Sequence, residues 1–316
     1  MKFVVAGAGA VGAYLGAKMA AAGEEVTLYA RGPHLRAMQE RGVRVIEGGS
    51  ELEAHPRVSG DLKTIGIADV VFLAVKAHSL TLLAPMLAPL LGPDTVVVSM
   101  QNGVPWWYAP LERVDPGGVI NAAIEPRRVV GSIVYYSTEV IEPGVVRHIA
   151  GNRISLGEPD GTRSERCQKI AEALIQAGLR SPITTHLREE IWVKLLGNVS
   201  LNPISALTRK NMIEILQDPE VKELVRNIMR EAVEVAERMG MKLPVTIEQR
   251  IAGAEKVGAH KTSMLQDLEA NRPLELEALV GAVLEMGVRL GVAMPCTRTV
   301  YACTKLLAKH AAAPPL

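Results

Sequence analysis

Three polar residues stand at helical spacing inside an otherwise apolar stretch of the chain. Lys194, Asn198 and Asn202 are each four positions apart, in the segment EIWVKLLGNVSLNP that ends at Pro203. Because side chains four residues apart share one face of a helix, these three would line a single face. A lysine can give a proton to an oxygen that gains negative charge, and two carboxamides can orient a polar molecule.

Two interpretations of this face are open. Lysine and asparagine are common on solvated helix faces, so the pattern also fits an ordinary surface. Against that, Ile191, Leu195 and Val199 make another side of the segment apolar, and a tryptophan lies in the turn before the lysine. Asparagine is also a poor former of helix interiors. We therefore favour a functional face and keep the solvated face as the alternative.

A glycine-rich segment near the N-terminus predicts a phosphate-binding turn. Gly7, Gly9 and Gly12 form G-x-G-x-x-G directly after the apolar run Phe3–Ala6, and a helical stretch and a second short strand, Glu25–Tyr29, follow. In this context the first glycine permits a tight turn, the second admits a pyrophosphate and the third lets helix pack on strand. The N–H groups at the start of the helix would bind the phosphates. The predicted cofactor-binding loop consists of Gly7, Ala8, Gly9, Ala10, Val11 and Gly12.

The residue type at the end of the second strand selects between the two nicotinamide dinucleotides. An aspartate or glutamate in this region hydrogen-bonds the ribose 2′-hydroxyl of NAD. Here Arg31 follows the strand, and an arginine suits a 2′-phosphate. The predicted cofactor is therefore NADP(H).

The elements that must position these residues alternate between strand and helix in the first half of the chain. Val70–Val75 and Thr95–Met100 are continuous apolar runs, typical of parallel strands that are covered on both faces, and a proline-disturbed helix is predicted at Leu80–Leu91. Lys76 and Asn102 follow the two strands. Ligands collect at the carboxyl ends of strands in open α/β sheets, so both are candidate ligand contacts.

An antiparallel extension of the sheet is predicted next. The expected strands are Val119–Ala123, Gly131–Thr138, Val145–His148 and Ile154–Leu156. Glu142-Pro143-Gly144 predicts a turn, and a helix from Cys167 to Ala177 would end at Gly178.

Beyond about residue 182 the strand signals end. Helical periodicity covers 187–202, 219–239, 245–257, 275–290 and 295–310. We therefore expect an α/β dinucleotide-binding domain of the Rossmann type at 1–181 and an all-α substrate and catalytic domain at 182–316, with the active site in the cleft between them.

Composition excludes several classes of function. The formal net charge is +1, with 35 basic and 34 acidic residues, which gives no electrostatic footprint for nucleic acid or an anionic membrane. The three cysteines show no C-x-x-C spacing, so we expect neither a disulfide framework nor a metal site. No apolar run reaches about eighteen residues, the length of a membrane span. We expect a cytoplasmic protein, with a possible homodimer through the apolar C-terminal helices.

Over nearly its whole length the chain resembles the ketopantoate reductases (2-dehydropantoate 2-reductases). The matching blocks, in order, are GAGAVG with Arg31, Val-Lys76, Gln-Asn102-Gly, Glu-Pro-Gly144-Val-Val, W-x-K-x-x-x-N-x-x-x-N-P at 192–203, and Thr-Ser263-Met-Leu-Gln-Asp followed by Glu275.

The resemblance implies an NADPH-dependent reduction of ketopantoate, or of a close 2-oxo acid, in pantothenate biosynthesis. Lys194 would be the general acid that protonates the C2 oxygen. Glu275 would orient the lysine, receive a substrate hydroxyl and lie against the cofactor. An acid at that position is also favoured at a helix start, which remains the structural alternative.

The resemblance also implies the remaining contacts. Asn198 and Asn202 would bind the hydroxyl end of the substrate, Ser263 and Asn102 its carboxylate side, and Lys76 the cofactor phosphates or ribose. Asn102 would also touch the cofactor. For Ser263, a simple helix cap is the alternative.

Two positions depart from the family pattern. His260 stands where the family commonly has an asparagine that touches the substrate, and Ser79 replaces a frequent glutamine near the cofactor. Because histidine can donate, accept or carry charge near neutral pH, His260 is a candidate substrate contact that would change the preferred acyl group.

Two other functions fit the same sequence less well. A dehydrogenase of the β-hydroxyacid or glycerol-phosphate type also uses Lys-x-x-x-Asn, but it would have a glycine-rich run where Trp192 and Val193 stand. A non-catalytic NADP-binding protein would have no use for a proton donor at Lys194.

Overall fold

The computed structural model describes residues 1–311, with side chains to residue 309. The chain forms two compact units. The first contains Met1–Gln101 and Gly117–Leu187, and the second contains Asn102–Pro116 and the chain from Arg188 onward. The predicted single boundary at 181/182 is therefore corrected in two ways: it lies a few residues later, and a segment from the middle of the chain belongs to the helical unit.

The first unit is built on one nine-stranded sheet. Its strands are β1 (Lys2–Ala6), β2 (Glu25–Tyr29), β3 (Val43–Glu47), β4 (Ser50–Ala54), β5 (Arg57–Ser59), β6 (Ala68–Leu73), β7 (Leu91–Ser99), β8 (Val129–Glu142) and β9 (Val145–Gly157). They lie in the order β4-β3-β9-β8-β7-β6-β1-β2-β5.

The parallel strands at the centre of this sheet determine where a ligand would bind. β1 pairs in parallel with β2 on one side and with β6 on the other. The order of the strands therefore reverses at β1. In such sheets the usual ligand site is the crevice outside the carboxyl ends of the strands at the point of reversal. The core is mainly apolar, with Phe3 and Phe72 fully buried and their rings stacked at 6.0 Å. The Rossmann-type prediction is confirmed.

The predicted antiparallel extension is present, with one merger. β8 and β9 pair antiparallel, and Gly144 at their turn has φ +84°, a conformation that favours glycine. The two short strands predicted at 145–148 and 154–156 are parts of the single strand β9.

The helices of the first unit are short and lie between the strands. They are α1 (Ala10–Ala21), α2 (Gly32–Arg41), α3 (Ala77–Leu83), α4 (Val119–Ala123) and α5 (Glu165–Gln176), with 3₁₀ turns at Leu62–Thr64, Ala84–Leu90, Pro116–Gly118 and Pro126–Arg128.

The strand predicted at Val119–Ala123 is wrong, because this segment is α4. Gly117 and Gly118 both have positive φ and turn the chain into the helix. Only Ile120 within it is buried, so the segment lacks the continuous burial of an interior strand.

The second unit is helical over its described part, as predicted. Its helices are α6 (Leu187–Thr208, beginning one residue before the unit), α7 (Met212–Gln217), α8 (Pro219–Arg238), α9 (Ile247–Val257), α10 (Ser263–Glu269), a π-helical turn at Glu277–Gly281, α11 (Ala282–Leu290) and α12 (Pro295–Ala311). No helix within residues 1–311 is long and apolar enough to cross a membrane.

Candidate active site

Helix α6 carries the lysine and the two asparagines on one face. Trp192, one turn before, is fully buried and donates its indole N–H to the Tyr108 hydroxyl at 2.8 Å. Lys194 and Asn198 are half-buried, and Asn202 is only 4% exposed. A solvated helix face is therefore excluded, because polar side chains that are this buried must be matched by polar partners.

The segment 102–116 brings a third amide to this face. The Asn198 side-chain N–H donates to the Asn102 side-chain oxygen at 3.0 Å. The neighbouring Val104 N–H donates to the Ala278 carbonyl at 2.9 Å. Between them Gly103 has φ +88°, and a Cβ there would lie 2.4 Å from the Ala278 oxygen. The chain can make this close approach only with glycine, so the Asn-Gly pair of the sequence is what delivers Asn102 to α6.

Ser263 lies beside the far end of the same face. It is exposed, at the first position of α10, and its hydroxyl oxygen is 3.5 Å from the Asn202 amide nitrogen. The helix cap is Thr262, whose hydroxyl accepts from the Leu265 N–H at 3.2 Å. The capping alternative for Ser263 is therefore wrong.

Burial and two charged neighbours set the acidity of Lys194. Its pKa is lowered from the ordinary value of 10.5 to about 8, and burial is the largest cause. The Glu275 carboxylate opposes this shift, and the Arg250 guanidinium adds to it. An ammonium with a pKa close to the working pH is poised to give up its proton, as a general acid must.

Glu275 is half-buried and acts on Lys194 from the start of a helical segment. Its backbone carbonyl accepts from the Leu279 N–H at 3.2 Å, so it stands at the first turn of that segment. The structural alternative and the electrostatic contact with Lys194 are therefore both present at this residue.

Arg250 is a charged neighbour that the motif analysis missed. It lies on α9, and its Nε donates to the Val193 carbonyl of α6 at 3.0 Å. A Cβ on Gly197 would lie 2.1 Å from its Nη2. The one available signal was that glycine: a glycine inside a helical pattern often marks a close approach.

His260 is not brought into this set by the structure. Its backbone N–H donates to the Gly258 carbonyl and its carbonyl accepts from the Met212 N–H, which tie the loop to α7. Within residues 1–309, whose side chains are described, its imidazole has no hydrogen bond, and nothing places it against Lys194. A substrate contact for His260 remains a prediction.

The glycine-rich loop predicted to bind a dinucleotide lies in the first unit. Gly7 has φ +110°, and a Cβ there would lie 2.8 Å from the Val75 backbone nitrogen. A Cβ on Gly12 would lie 2.2 Å from the Gly7 oxygen. At Gly9, by contrast, a Cβ would meet nothing within 4 Å. The first and third glycines thus serve tight packing, and the second faces open space.

This open space lies at the start of α1, which fits a phosphate group. Gly9 is the N-cap residue and supplies no side-chain cap, and the first turn of α1, with Ala10 and Val11, holds no acidic residue. Ala8 is buried and donates its N–H to the Tyr29 carbonyl at 2.9 Å, which fixes the loop. The N–H groups and dipole of α1 are therefore available to an anion.

Two cations stand at the carboxyl ends of β2 and β6, the strands on either side of β1. Arg31 follows β2, is exposed and is the N-cap residue of α2. Lys76 follows β6, is half-buried and is the N-cap residue of α3. The Gln101 amide nitrogen donates to the carbonyls of Leu73 (2.8 Å) and Val75 (3.2 Å), which holds the chain just before Lys76. The sequence predicts no role for Gln101, which belongs to the Gln-Asn102-Gly block.

Within residues 1–309 no cluster of histidine, cysteine, aspartate or glutamate side chains suits a metal ion. The lysine, the carboxylate and the amides described above are the groups of the candidate site that can do chemistry. A Rossmann-type sheet unit followed by a helical unit that carries a partly buried lysine is the organisation of two-domain, nicotinamide-dependent oxidoreductases.

Comparison with known families identifies the family of oxidoreductases to which the chain belongs. Residues 3–161 match the family model described as ketopantoate reductase PanE/ApbA, and residues 186–308 match the model of its C-terminal domain. The chain belongs to the ketopantoate reductase family.

Individual relatives agree over the full length. The chain is 49% identical to a 2-dehydropantoate 2-reductase from Mesorhizobium japonicum, with 98% of each chain covered. It is 40% identical to a solved structure from Ralstonia solanacearum MolK2, at a TM-score of 0.94 with 98% of each chain covered. A PanE/ApbA family ketopantoate reductase structure from Ralstonia eutropha is 28% identical, at a TM-score of 0.88 with 98% and 99% covered.

Proposed function

We propose that the protein reduces 2-dehydropantoate, or a close 2-oxo acid, to the 2-hydroxy acid with NADPH. The observation that carries this proposal is Lys194: a partly buried ammonium whose pKa is lowered to about 8, on the same helix face as Asn198. Such a lysine can deliver a proton at neutral pH, which the reduction of a carbonyl requires. In the family to which the chain belongs, this reaction serves pantothenate formation, and we assign the protein to that step.

NADPH is the cofactor that the first unit fits best. The bound cofactor supplies the hydride. The N-terminus of α1 and the exposed Gly9 suit its pyrophosphate, Arg31 suits the 2′-phosphate, and Lys76 suits the neighbouring phosphate or ribose oxygens.

Lys194 is the general acid. Its ammonium donates a proton to the C2 oxygen of the substrate as negative charge develops there. Burial then favours the neutral amine that remains, and the Arg250 charge favours it further. Glu275 opposes both effects, so it helps to keep the lysine mostly protonated at neutral pH and orients it.

The side-chain amides of Asn102 and Asn198 would bind different polar groups of the substrate. The hydrogen bond from Asn198 to Asn102 uses a donor of Asn198 and the oxygen of Asn102. It leaves the Asn102 NH₂ to donate and the Asn198 oxygen to accept. We assign Asn102, with Ser263, to the substrate carboxylate, and Asn198, with Asn202, to the hydroxyl end.

The two alternative functions are less well supported. A dehydrogenase of the β-hydroxyacid or glycerol-phosphate type would need small residues before the lysine, and here the fully buried Trp192 fills that turn. A binding protein without catalysis has no need of a lysine at a pKa of about 8. The cytoplasmic location and the homodimer through the helical unit stay predictions.

The test is NADPH oxidation by the purified protein over a panel of 2-oxo acids that includes ketopantoate, with His260→Asn assayed in parallel. We expect turnover with ketopantoate or with a 2-oxo acid close to it in size. If His260 selects the acyl group, His260→Asn changes the ranking of the substrates. Absence of turnover with every member of the panel would refute the proposal.

A further inference from the structure

Arg250 reaches α6 at the turn that carries the catalytic lysine. It is half-buried on α9, and its Nε donates to the carbonyl of Val193, the residue directly before Lys194, at 3.0 Å. In an α-helix that carbonyl also accepts the N–H four residues on, so the arginine adds a second donor to a helical hydrogen bond. The guanidinium is thereby fixed to the backbone of α6 at the site itself.

Gly197 provides the space for this guanidinium. A Cβ at that position would lie 2.1 Å from Nη2 and 2.8 Å from Cζ of Arg250. Glycine weakens the middle of a helix relative to alanine, and this one has an ordinary negative φ that any residue can adopt. Its conformation does not require glycine, whereas the close approach of the arginine does.

Two charged side chains act on Lys194 with opposite sign. The Glu275 carboxylate raises the pKa of the lysine, and Arg250 lowers it in the same direction as burial. Asn102 and Ser263, which contact Asn198 and Asn202 of α6, carry no charge. Asp267 of α10 is paired with Arg272 at 3.2 Å.

We propose that Arg250 is a positioning residue, acting through Lys194: seated in the space that Gly197 leaves, its guanidinium makes the lysine readier to release its proton. This proposal rests on the proposed function of Lys194 as the general acid. Gly197 and Arg250 thus act together, since glycine is needed at position 197 only to leave room for the Arg250 side chain.

The test is the pKa of Lys194 itself, measured without turnover. Trace acetylation with acetic anhydride across a pH series, read by mass spectrometry of the peptide that contains Lys194, follows the fraction of neutral amine. The variants are Arg250→Met and Gly197→Ala, singly and together. The controls are Arg250→Lys, which keeps the charge, and Arg226→Met, which removes an arginine that pairs with Glu223 and Glu248 and is not among the charges that shift the pKa of Lys194.

We expect the pKa of Lys194 to rise by roughly half a unit to one unit in Arg250→Met. Gly197→Ala should raise it in the same way, because its methyl group displaces the flexible end of the arginine while alanine strengthens the helix. The double variant should match the larger single effect, and both controls should stay at the wild-type value. Wild-type pKa values in Arg250→Met and Gly197→Ala would overturn the proposal, as would an equal rise in Arg250→Lys.

Kinetics separate this role from direct substrate binding. If Arg250 acts through the lysine, the upper pH limb of kcat moves to higher pH in Arg250→Met, with KM little changed. A raised KM with an unmoved limb would instead mean that Arg250 binds the substrate anion, which overturns the proposal. The labelling experiment does not depend on catalysis, so it tests the effect of Arg250 on the pKa of Lys194 even if the protein does not turn over ketopantoate. Thermal melts show whether each variant is folded. If Arg250→Met does not fold, Gly197→Ala still tests the proposal.

Discussion

The side chains of Asn198 and Asn102 are joined by a hydrogen bond of 3.0 Å although 96 positions separate them in the chain. The first is on α6 and the second opens the segment 102–116, which leaves the sheet to join the helical unit. The bond fixes which atoms of each amide face a ligand. A donor and an acceptor are thus held side by side on the face of α6 that also carries Lys194.

This pair should behave as a unit in kinetics. Asn102→Ala and Asn198→Ala are each expected to lower kcat/KM for the 2-oxo acid about tenfold or more, by removing one polar contact in a partly buried site. Because each change also frees the partner amide to turn, the double variant should lose less than the product of the two effects. A double-mutant cycle on kcat/KM measures this. Strict additivity would mean that the two amides act independently.

Arg31 should distinguish the two dinucleotides. Arg31→Ala removes the proposed partner of the 2′-phosphate, so KM for NADPH is expected to rise while KM for NADH stays near its wild-type value. Steady-state kinetics with both cofactors is the measurement. An equal effect on both would assign Arg31 to the structure of the β2–α2 turn.

The glycines of the loop should separate folding from cofactor binding. Gly9→Ala places a methyl group in open space at a φ of −75°, so its melting temperature should stay near that of the wild type while the cofactor binds more weakly. Gly7→Ala, at φ +110° with a Cβ 2.4 Å from the Val75 side chain, should lower the melting temperature instead. Fluorescence titration with NADPH and thermal melts give the two readouts. Normal binding by a folded Gly9→Ala variant would remove Gly9 from the phosphate site.

The lowered pKa of Lys194 carries a cost in stability. The folded protein holds this lysine at a pKa of about 8 against 10.5 for an unperturbed lysine, so between these values the unfolded state binds more protons. The cost is complete below pH 8 and disappears as the pH rises through 10.5. Lys194→Met should therefore raise the free energy of unfolding at pH 7 by up to about 3 kcal/mol, and less at higher pH. Denaturant titrations of both proteins at several pH values check this, and a gain that does not shrink with pH would have another cause.

Much of the fold and one face of the candidate site can be predicted from the sequence, because they depend on local patterns. The β1–α1–β2 unit follows from glycine spacing and an apolar run, and the face of α6 follows from the period of its polar residues. Elements with weak patterns were not predicted. The helix α2 buries only Ala37 and Met38, and the edge strand β4 buries only Ala54, so neither shows a clear period.

The tertiary part of the site could not be predicted in this way. Nothing local at Asn102 shows that the segment after β7 joins the helical unit, since that depends on the approach of Gly103 to Ala278. Arg250 lies on another helix, 53 residues beyond Gly197, and belongs to no motif. Thr262, rather than the neighbouring Ser263, caps α10, and only the hydrogen bond decides between them.

The most direct test of the account is the pH dependence of kcat for NADPH-dependent reduction of ketopantoate by the wild type and by Lys194→Ala. Because the acid must be protonated to act, wild-type kcat should be highest below pH 8 and fall as the pH rises through it. Lys194→Ala should lower kcat by roughly 10²-fold and abolish that fall. A variant that stays within about threefold of the wild type and keeps the same pH limb would contradict the assignment of Lys194 as the proton donor.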